Sequence, residues 1–345
     1  MHLKKEIILI RIGIVGATGY GGRELLRLIA GHPEASLSAV ASTSAVGEAL
    51  GDVLPAFRKV FDLSFEAFDP ASLAEKCDVV FVGVPGRESM EPVAALRNAG
   101  VRVLDIGPDF RLNDPKDFQQ YYGTAHTATH LLDEAVYGLV PWYRDTIKDA
   151  SLVAVPGCYP ISILLPLRPL LAQPIASIPI VIDAISGISG AGKTPSEHLH
   201  FPEMAENLRA YKVGTHQHIP EIEQELQHRF QVQFTPHVAP LIRGMLSTII
   251  VRPEQVFDLA ACYACYNDEP YVRVLGENRL PEAKHVRGSN FCDIGWVTDK
   301  RTGNLILLSA IDNLNGGTAG MAIQCMNLMF GLDEKTGLGA GGMAP

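Results

Sequence analysis

Short apolar runs alternate with amphipathic stretches through the first 150 residues. Residues 12–15, Ile-Gly-Ile-Val, have the pattern of a strand buried on both faces. Residues 23–30 place Leu25, Leu26, Leu28 and Ile29 at helical spacing, with Arg23 and Arg27 on the polar side. The helix is predicted to stop at Gly31-His32-Pro33, a glycine followed shortly by a proline. Further strands are predicted over 37–42, 78–83 and 101–106. Strands alternating with helices predict an α/β domain with a parallel sheet covered on both faces.

After about Val155 the pattern changes. Strand-like runs at 178–184, 237–241, 245–251 and 305–311 follow one another with few helices between them. That predicts an α+β second domain with a mostly antiparallel sheet. Residues 318–328 are rich in Ala, Met and Leu at helical spacing and are expected to return to the first domain. There is no internal repeat. The low-complexity tail, 337–345, reads as a flexible end.

The chain has 345 residues, 47% of them hydrophobic, enough for about two domains of roughly 100–200 residues. The net charge of -9, without a Lys/Arg run, argues against nucleic acid as a partner, because phosphates demand a basic surface. It argues equally against an anionic membrane. Six cysteines are too sparse for a disulfide framework and read as reduced thiols. Cys262 and Cys265 form one C-x-x-C, half of a closed zinc site. At the N-terminus Arg11 ends the apolar run 7–10, which is too short for a secretory leader. No stretch reaches the roughly 18 apolar residues of a membrane span. A cytoplasmic protein is expected.

Four motifs bear on chemistry. Gly16-Ala17-Thr18-Gly19-Tyr20-Gly21-Gly22 lies between a predicted strand and helix. Glycines there let backbone approach a pyrophosphate at the helix start, although the spacing is G-x-x-G-x-x-G and not G-x-G-x-x-G. After the second strand come Ser42-Thr43-Ser44 and no carboxylate, which favours the 2′-phosphate of NADP over the 2′-hydroxyl of NAD. Pro156-Gly157-Cys158-Tyr159-Pro160 leads into an apolar helical run. Pro160 suits a first turn, so Cys158 is expected at a helix N-terminus, where the dipole favours thiolate over thiol. The alternative for any cysteine is an inert buried thiol, and the other five are assigned to it. His216-Gln217-His218 offers two imidazoles suited to general acid/base work, and local spacing does not distinguish them. As metal ligands they lack an apparent third partner. Finally, residues 187–194, Gly-Ile-Ser-Gly-Ala-Gly-Lys-Thr, satisfy the P-loop pattern, but Pro195 follows where a helix must open.

Residues 153–160, Val-Ala-Val-Pro-Gly-Cys-Tyr-Pro, resemble the active-site signature of the N-acetyl-γ-glutamyl-phosphate reductases, relatives of aspartate-semialdehyde dehydrogenase. The resemblance extends through the glycine turn, Asp109-Phe110-Arg111-Leu112, Tyr137-Gly138-Leu139, residues 186–193 and 216–223, Arg243-Gly244, Gly288-Ser289-Asn290, Asp312-Asn313-Leu314 and Gln324-Cys325-Met326-Asn327. It implies a Rossmann-type NADP-binding domain over 1–157 and 316–345, and a catalytic and oligomerisation domain over 158–315. It makes Cys158 the nucleophile and His218 the acid/base, with His216, Arg111, Arg243 and Ser189 near substrate. For the cofactor it implies Gly16, Thr18, Gly19, Tyr20, Gly21, Gly22, Ser42, Ser44, Pro85, Gly190, Gly192 and Asn313. In that light residues 187–194 are a nicotinamide and substrate loop, and the P-loop match is coincidence. The assembly implied is a homodimer or homotetramer. Departures from the family pattern include Val155, Ile161, Gly86, Val140-Pro141 and Gly316.

The activity implied is NADPH-linked reduction of N-acetylglutamyl 5-phosphate to N-acetylglutamate 5-semialdehyde and phosphate, a step of arginine biosynthesis, through a thioester on Cys158. The rivals are the aminoadipyl-phosphate reductase of lysine biosynthesis, one methylene longer in substrate, a non-catalytic NADP-binding regulator, and a P-loop enzyme using Mg-ATP.

Overall fold

The computed structural model describes residues 9–339 and 341–343. The pattern noted at residues 1–8 and at 340, 344 and 345 lies outside the described residues. The chain forms two compact units, with crossings after 113, 125, 155, 321 and 338. No helix among the described residues is long and apolar enough to cross a membrane.

The first unit contains six parallel strands: β1 (Ile10–Val15), β2 (Ala35–Ala41), β3 (Val79–Val82), β4 (Arg102–Asp105), β5 (Ala135–Tyr137) and β6 (Leu152–Ala154). Their order is β2-β1-β3-β4-β6-β5. The apolar runs that predicted strands are β1 to β4, and Ile12, Ile14 and all of β3 are fully buried. Helix α1 (Tyr20–Ile29) turns Leu25, Leu26, Leu28 and Ile29 inward, as its spacing predicts. Helix α2 (Met90–Asn98) follows β3. From β1 the chain moves out to β2 and then returns to pair β3 on the other side of β1. That reversal is a topological switch point, the place where parallel sheets bind ligands at their carboxyl ends.

The second unit carries a seven-stranded sheet of β7 (Ile180–Gly187), β8 (Arg209–Ala210), β9 (Val232–Ala239), β10 (Met245–Val251), β11 (Val272–Glu277), β12 (Cys292–Asp299) and β13 (Asn304–Ile311), in the order β11-β12-β13-β10-β7-β9-β8. Four pairings are antiparallel, and β7/β9 and β11/β12 are parallel. The strand expected at 237–241 is instead the end of β9, and β11 and β12 were not legible as strands. Helix α3 (Cys158–Leu167) packs on β10 and β13 and on helix α4 (His218–Glu225). Every residue of α3 after Cys158 is buried. Small polar side chains allow the close seat: Ser162 Oγ lies 2.7 Å from Ser247 Oγ. The alternate positions Val181, Ile185, Leu246, Ile250, Ile306 and Leu308 face the other way and are half-buried.

Residues 315–319 form a π-helical turn that leads into helix α5 (Gly320–Met329). The expected flexible tail makes definite contacts where it is described. Leu338 is buried, and Met343 N–H donates to Arg287 O.

Candidate active site

In the first unit the glycine turn is built from backbone. Gly16 has φ +91°, a left-handed conformation that side chains resist. A Cβ at Gly16 would lie 2.4 Å from Gly83 O, and one at Gly22 would lie 2.6 Å from Ala17 Cα. Gly19 caps α1 in extended conformation, so Tyr20, Gly21 and Gly22 are its first turn. Arg23 Nε donates to Thr18 O at 3.1 Å and stiffens the turn. A helix start lined by glycine, whose first-turn N–H groups have no partner within the helix, fits a pyrophosphate. Just beyond β2, Ser42 Oγ accepts the Ser44 N–H at 3.2 Å, forming a hydroxyl-bearing turn at the strand end. Pro85 lies in the loop that follows β3.

Arg111 also belongs to the first unit. Its Nε donates to Val155 O and its Nη2 to Ile106 O, both at 2.8 Å, so it ties the ends of β4 and β6 together.

In the second unit Cys158 is the first residue of α3, with Gly157 as an extended N-cap. The thiol is half-buried. The helix start is held from α4: Gly157 N–H donates to Glu221 Oε1 at 2.9 Å, and Glu221 is 1% exposed. Arg168 and Glu225 pair at 2.7 Å and pin the two helices at a second point. Gly317, in the π-helical turn, comes so close that a Cβ there would lie 2.9 Å from Cys158 Cβ. The other cysteines differ in kind. Burial pushes the Cys77 thiol up to about 11 and raises Cys262, Cys265, Cys292 and Cys325 as well.

The two histidines separate by environment. His216 is 3% exposed and is ringed by Tyr159, Tyr211, His218 and Phe234, with ring centroids 4.7–5.6 Å away. Its Nδ1 accepts the His218 N–H at 3.1 Å, which fixes the Nε2–H tautomer. Burial, helped by Lys212, lowers its pKa to about 3 and keeps it neutral. His218 is half-buried and opens α4. Tyr211 donates to Tyr159 Oη at 3.3 Å, and Tyr159 donates to His237 O at 3.1 Å.

Ser189, Gly190, Gly192, Arg243 and Asn313 come together around the end of β7. Asn313 Oδ1 accepts Gly244 N–H at 2.8 Å while its Nδ2 donates to Ser189 Oγ at 2.9 Å. A Cβ at Gly190 would come 3.1 Å from Ser186 Oγ, and Gly192 sits at φ +79°. Arg243 Nε pairs with buried Asp312 at 3.2 Å. Residues 188–191 form a single 3-10 turn, and no helix opens at Lys193-Thr194. The P-loop reading therefore lacks the helix start that would hold phosphate.

Glu221 and Asp312 entered the sequence reading only as members of motifs, without a role, and Gly317 did not enter it. Glu221 had a usable signal, since it lies three residues after His218 and so on the same side of one helix. Gly317 had none, because its role is the close approach to a residue far away in the chain.

Two family models match this chain. The semialdehyde dehydrogenase NAD binding domain covers residues 11–150, and the semialdehyde dehydrogenase dimerisation domain covers residues 158–313. The chain is 45% identical to the N-acetyl-γ-glutamyl-phosphate reductase of Desulforudis audaxviator, over 98% of this chain and 100% of that one. It is 44% identical to that of Geotalea daltonii, with the same coverage. Among solved structures it matches the aspartate semialdehyde dehydrogenase II of Vibrio cholerae with a TM-score of 0.71 at 16% identity, covering 93% and 98% of the two chains. The aspartate semialdehyde dehydrogenase of Candida albicans, solved with NADP, gives 0.71 and 16% with the same coverage. At that identity the likeness is one of fold.

Proposed function

Because this chain belongs to the semialdehyde dehydrogenase family, among its N-acetyl-γ-glutamyl-phosphate reductases, we propose that it reduces N-acetyl-γ-glutamyl phosphate to the 5-semialdehyde and phosphate, through a thioester on Cys158. The observation that carries this reading is Cys158 at the head of α3, its turn held by Glu221 and its Cβ faced by the backbone of Gly317. The glycine turn and the Ser42/Ser44 hydroxyls support NADP as the cofactor, which supplies the hydride when bound. In this reading the first unit carries the cofactor, and the second unit, with Cys158 and Gly317, carries the covalent chemistry.

The helix start favours the Cys158 thiolate, which attacks the acyl carbon and expels phosphate. The Cys158 N–H at the helix start is suited to the oxyanion of each addition. After reduction of the thioester carbon, His218 gives a proton to the oxyanion and takes it back as the C–S bond breaks, releasing aldehyde and thiolate. The buried, neutral His216 is a poor proton carrier and holds the backbone of His218. Arg243, backed by Asp312, is a cation suited to the substrate phosphate or carboxylate, and Arg111 is the candidate from the first unit. Ser189 presents its hydroxyl beside Asn313.

We place the enzyme in the cytoplasm as a homodimer or homotetramer. The half-buried apolar face of the second sheet, with Leu246, Ile250 and Leu308, supports self-association. Mixing enzyme with N-acetylglutamyl phosphate without NADPH should add one acyl group to Cys158, read by mass spectrometry. NADPH should be consumed faster with that substrate than with the aminoadipyl analogue. An adduct on any other residue, or none, would remove the thioester. Faster turnover of the longer analogue would reassign the substrate.

A further inference from the structure

Ser89, Asp105 and Asp109 are buried in the first unit and have no part in the steps above. They surround the segment 83–89 between β3 and α2. That segment begins at the switch point: the backbone of Gly83 and Val84 fills the space a side chain at Gly16 would need. Its far end is gripped by Asp109. Oδ1 of Asp109 accepts the Arg87 N–H at 2.7 Å, and Oδ2 accepts the Ser89 N–H at 3.0 Å. Arg87 has φ +78°, a left-handed conformation that a side-chain-bearing residue keeps only where neighbours hold it. Gly86 leans on Pro108, where a Cβ would come 2.8 Å from the proline ring. Asp109 is itself anchored, since its carbonyl faces His126 Nε2 at 2.9 Å.

The hydrogens can be counted. Ser89 Oγ lies 3.0 Å from Asp105 Oδ2 and 3.0 Å from Asp109 Oδ2. One hydroxyl has one hydrogen, so one of these contacts needs a hydrogen from a carboxyl group. Two bare carboxylates around one buried hydroxyl would be costly. Asp109 already accepts two amide hydrogens. Among the described residues Asp105 accepts one amide hydrogen, from the Gly107 N–H on Oδ1 at 2.9 Å. The arrangement is fully satisfied when the extra hydrogen sits on Asp105 Oδ2 and is donated to Ser89, whose own hydrogen then goes to Asp109.

We propose that Asp105, Ser89 and Asp109 act as one positioning unit for the cofactor, fixing the 83–89 segment against the dinucleotide turn for as long as Asp105 keeps its proton. The proposal rests on reading that turn as a dinucleotide site. Burial and the neighbouring Asp109 push Asp105 up to about 7, against Arg111 and the Gly107 N–H. Above an unfolded value of about 4 the folded chain holds this proton more tightly than the unfolded one. The contribution to stability therefore falls as pH rises toward 7, and beyond 7 the segment loosens.

The test is NADPH affinity from pH 6 to 9, by fluorescence titration, with hydrogen exchange over residues 84–90 in the cofactor-free protein. Wild type should lose affinity by up to about 100-fold across that range, one decade for each pH unit above 7. Asp105→Asn carries an amide donor at every pH, so its affinity should stay flat near the acid value. Asp109→Asn should speed exchange at 87–89 and weaken NADPH at all pH values. Ser89→Ala serves the same purpose if that variant does not fold. Superimposable profiles for wild type and Asp105→Asn, or unchanged exchange in the Asp109 and Ser89 variants, would overturn the proposal. Faster exchange with no NADPH binding in any protein would overturn the dinucleotide reading, and the positioning role with it, while leaving the hydrogen-bonded unit intact.

Discussion

The glycine turn of the first unit and the Cys158 site of the second are built by opposite means. The turn is one contiguous stretch, and backbone does its work: a left-handed Gly16 and a Gly22 that lets α1 close on Ala17. The Cys158 site draws on residues 157–159, 186–189, 216–221, 243 and 312–317, and almost every contact joins segments distant in sequence. A contiguous backbone site can bind a common group such as pyrophosphate wherever the turn is copied. A site assembled from five segments exists only when the whole unit is folded, and it can hold a nucleophile in one orientation.

The sharpest way to break this comparison is Cys158→Ser. A contiguous cofactor turn should ignore the change, so NADPH affinity should stay within about 2-fold, while kcat falls by at least ~1000-fold. Retained turnover would mean the assembled site is not where the covalent chemistry happens.

Two glycines test the two building methods against each other. Gly16→Ala forces a side chain into left-handed backbone and against Gly83 O. Strain of about 1–3 kcal/mol predicts NADPH binding weaker by roughly 10–100-fold. Gly317→Ala puts a methyl against Cys158 Cβ. A displacement of that size costs about 100-fold in kcat, and NADPH affinity should stay unchanged. Stopped-flow binding and steady-state rates separate these outcomes. If both variants lost the same function, the two sites would not be independent.

The contrast also explains what the sequence made legible. Strand β1, its turn and α1 are contiguous, and β3 is four apolar residues in a row. Cys158 could be placed at a helix start because Gly157 and Pro160 mark it locally. Strands β5 and β6 are three residues each, too short for any period to register. Strand β12 hides its pattern because Asp293 is buried, paired with Arg273 at 2.5 Å, and because Gly295 sits where β12 meets the backbone of Arg279. The P-loop letters at 187–194 were legible but misleading, since glycine there serves close packing against Arg243 and the Asn313 side chain. Gly317 acts only through a three-dimensional contact, which no local pattern carries.

The smallest effect separates His216 from His218. In the folded chain burial lowers His216 to about 3, whereas an unfolded histidine titrates near 6.5. Between these values the unfolded chain binds more protons. Stability therefore rises with pH through this window and is lost as the medium is acidified, by up to about 1.4 kcal/mol per pH unit. Replacing His216 with Asn removes that proton uptake. The variant should be less stable near pH 7, because the aromatic ring around His216 is left underfilled. Its stability should nevertheless fall less steeply between pH 6 and 5, by about 1 kcal/mol per unit. His218→Asn should change the pH–rate profile. Urea unfolding at pH 7, 6 and 5 measures the slope. Equal slopes in wild type and His216→Asn would show that His216 is protonated in the folded chain. The buried imidazole would then be a competing proton carrier, and the assignment of acid/base work to His218 alone would fail.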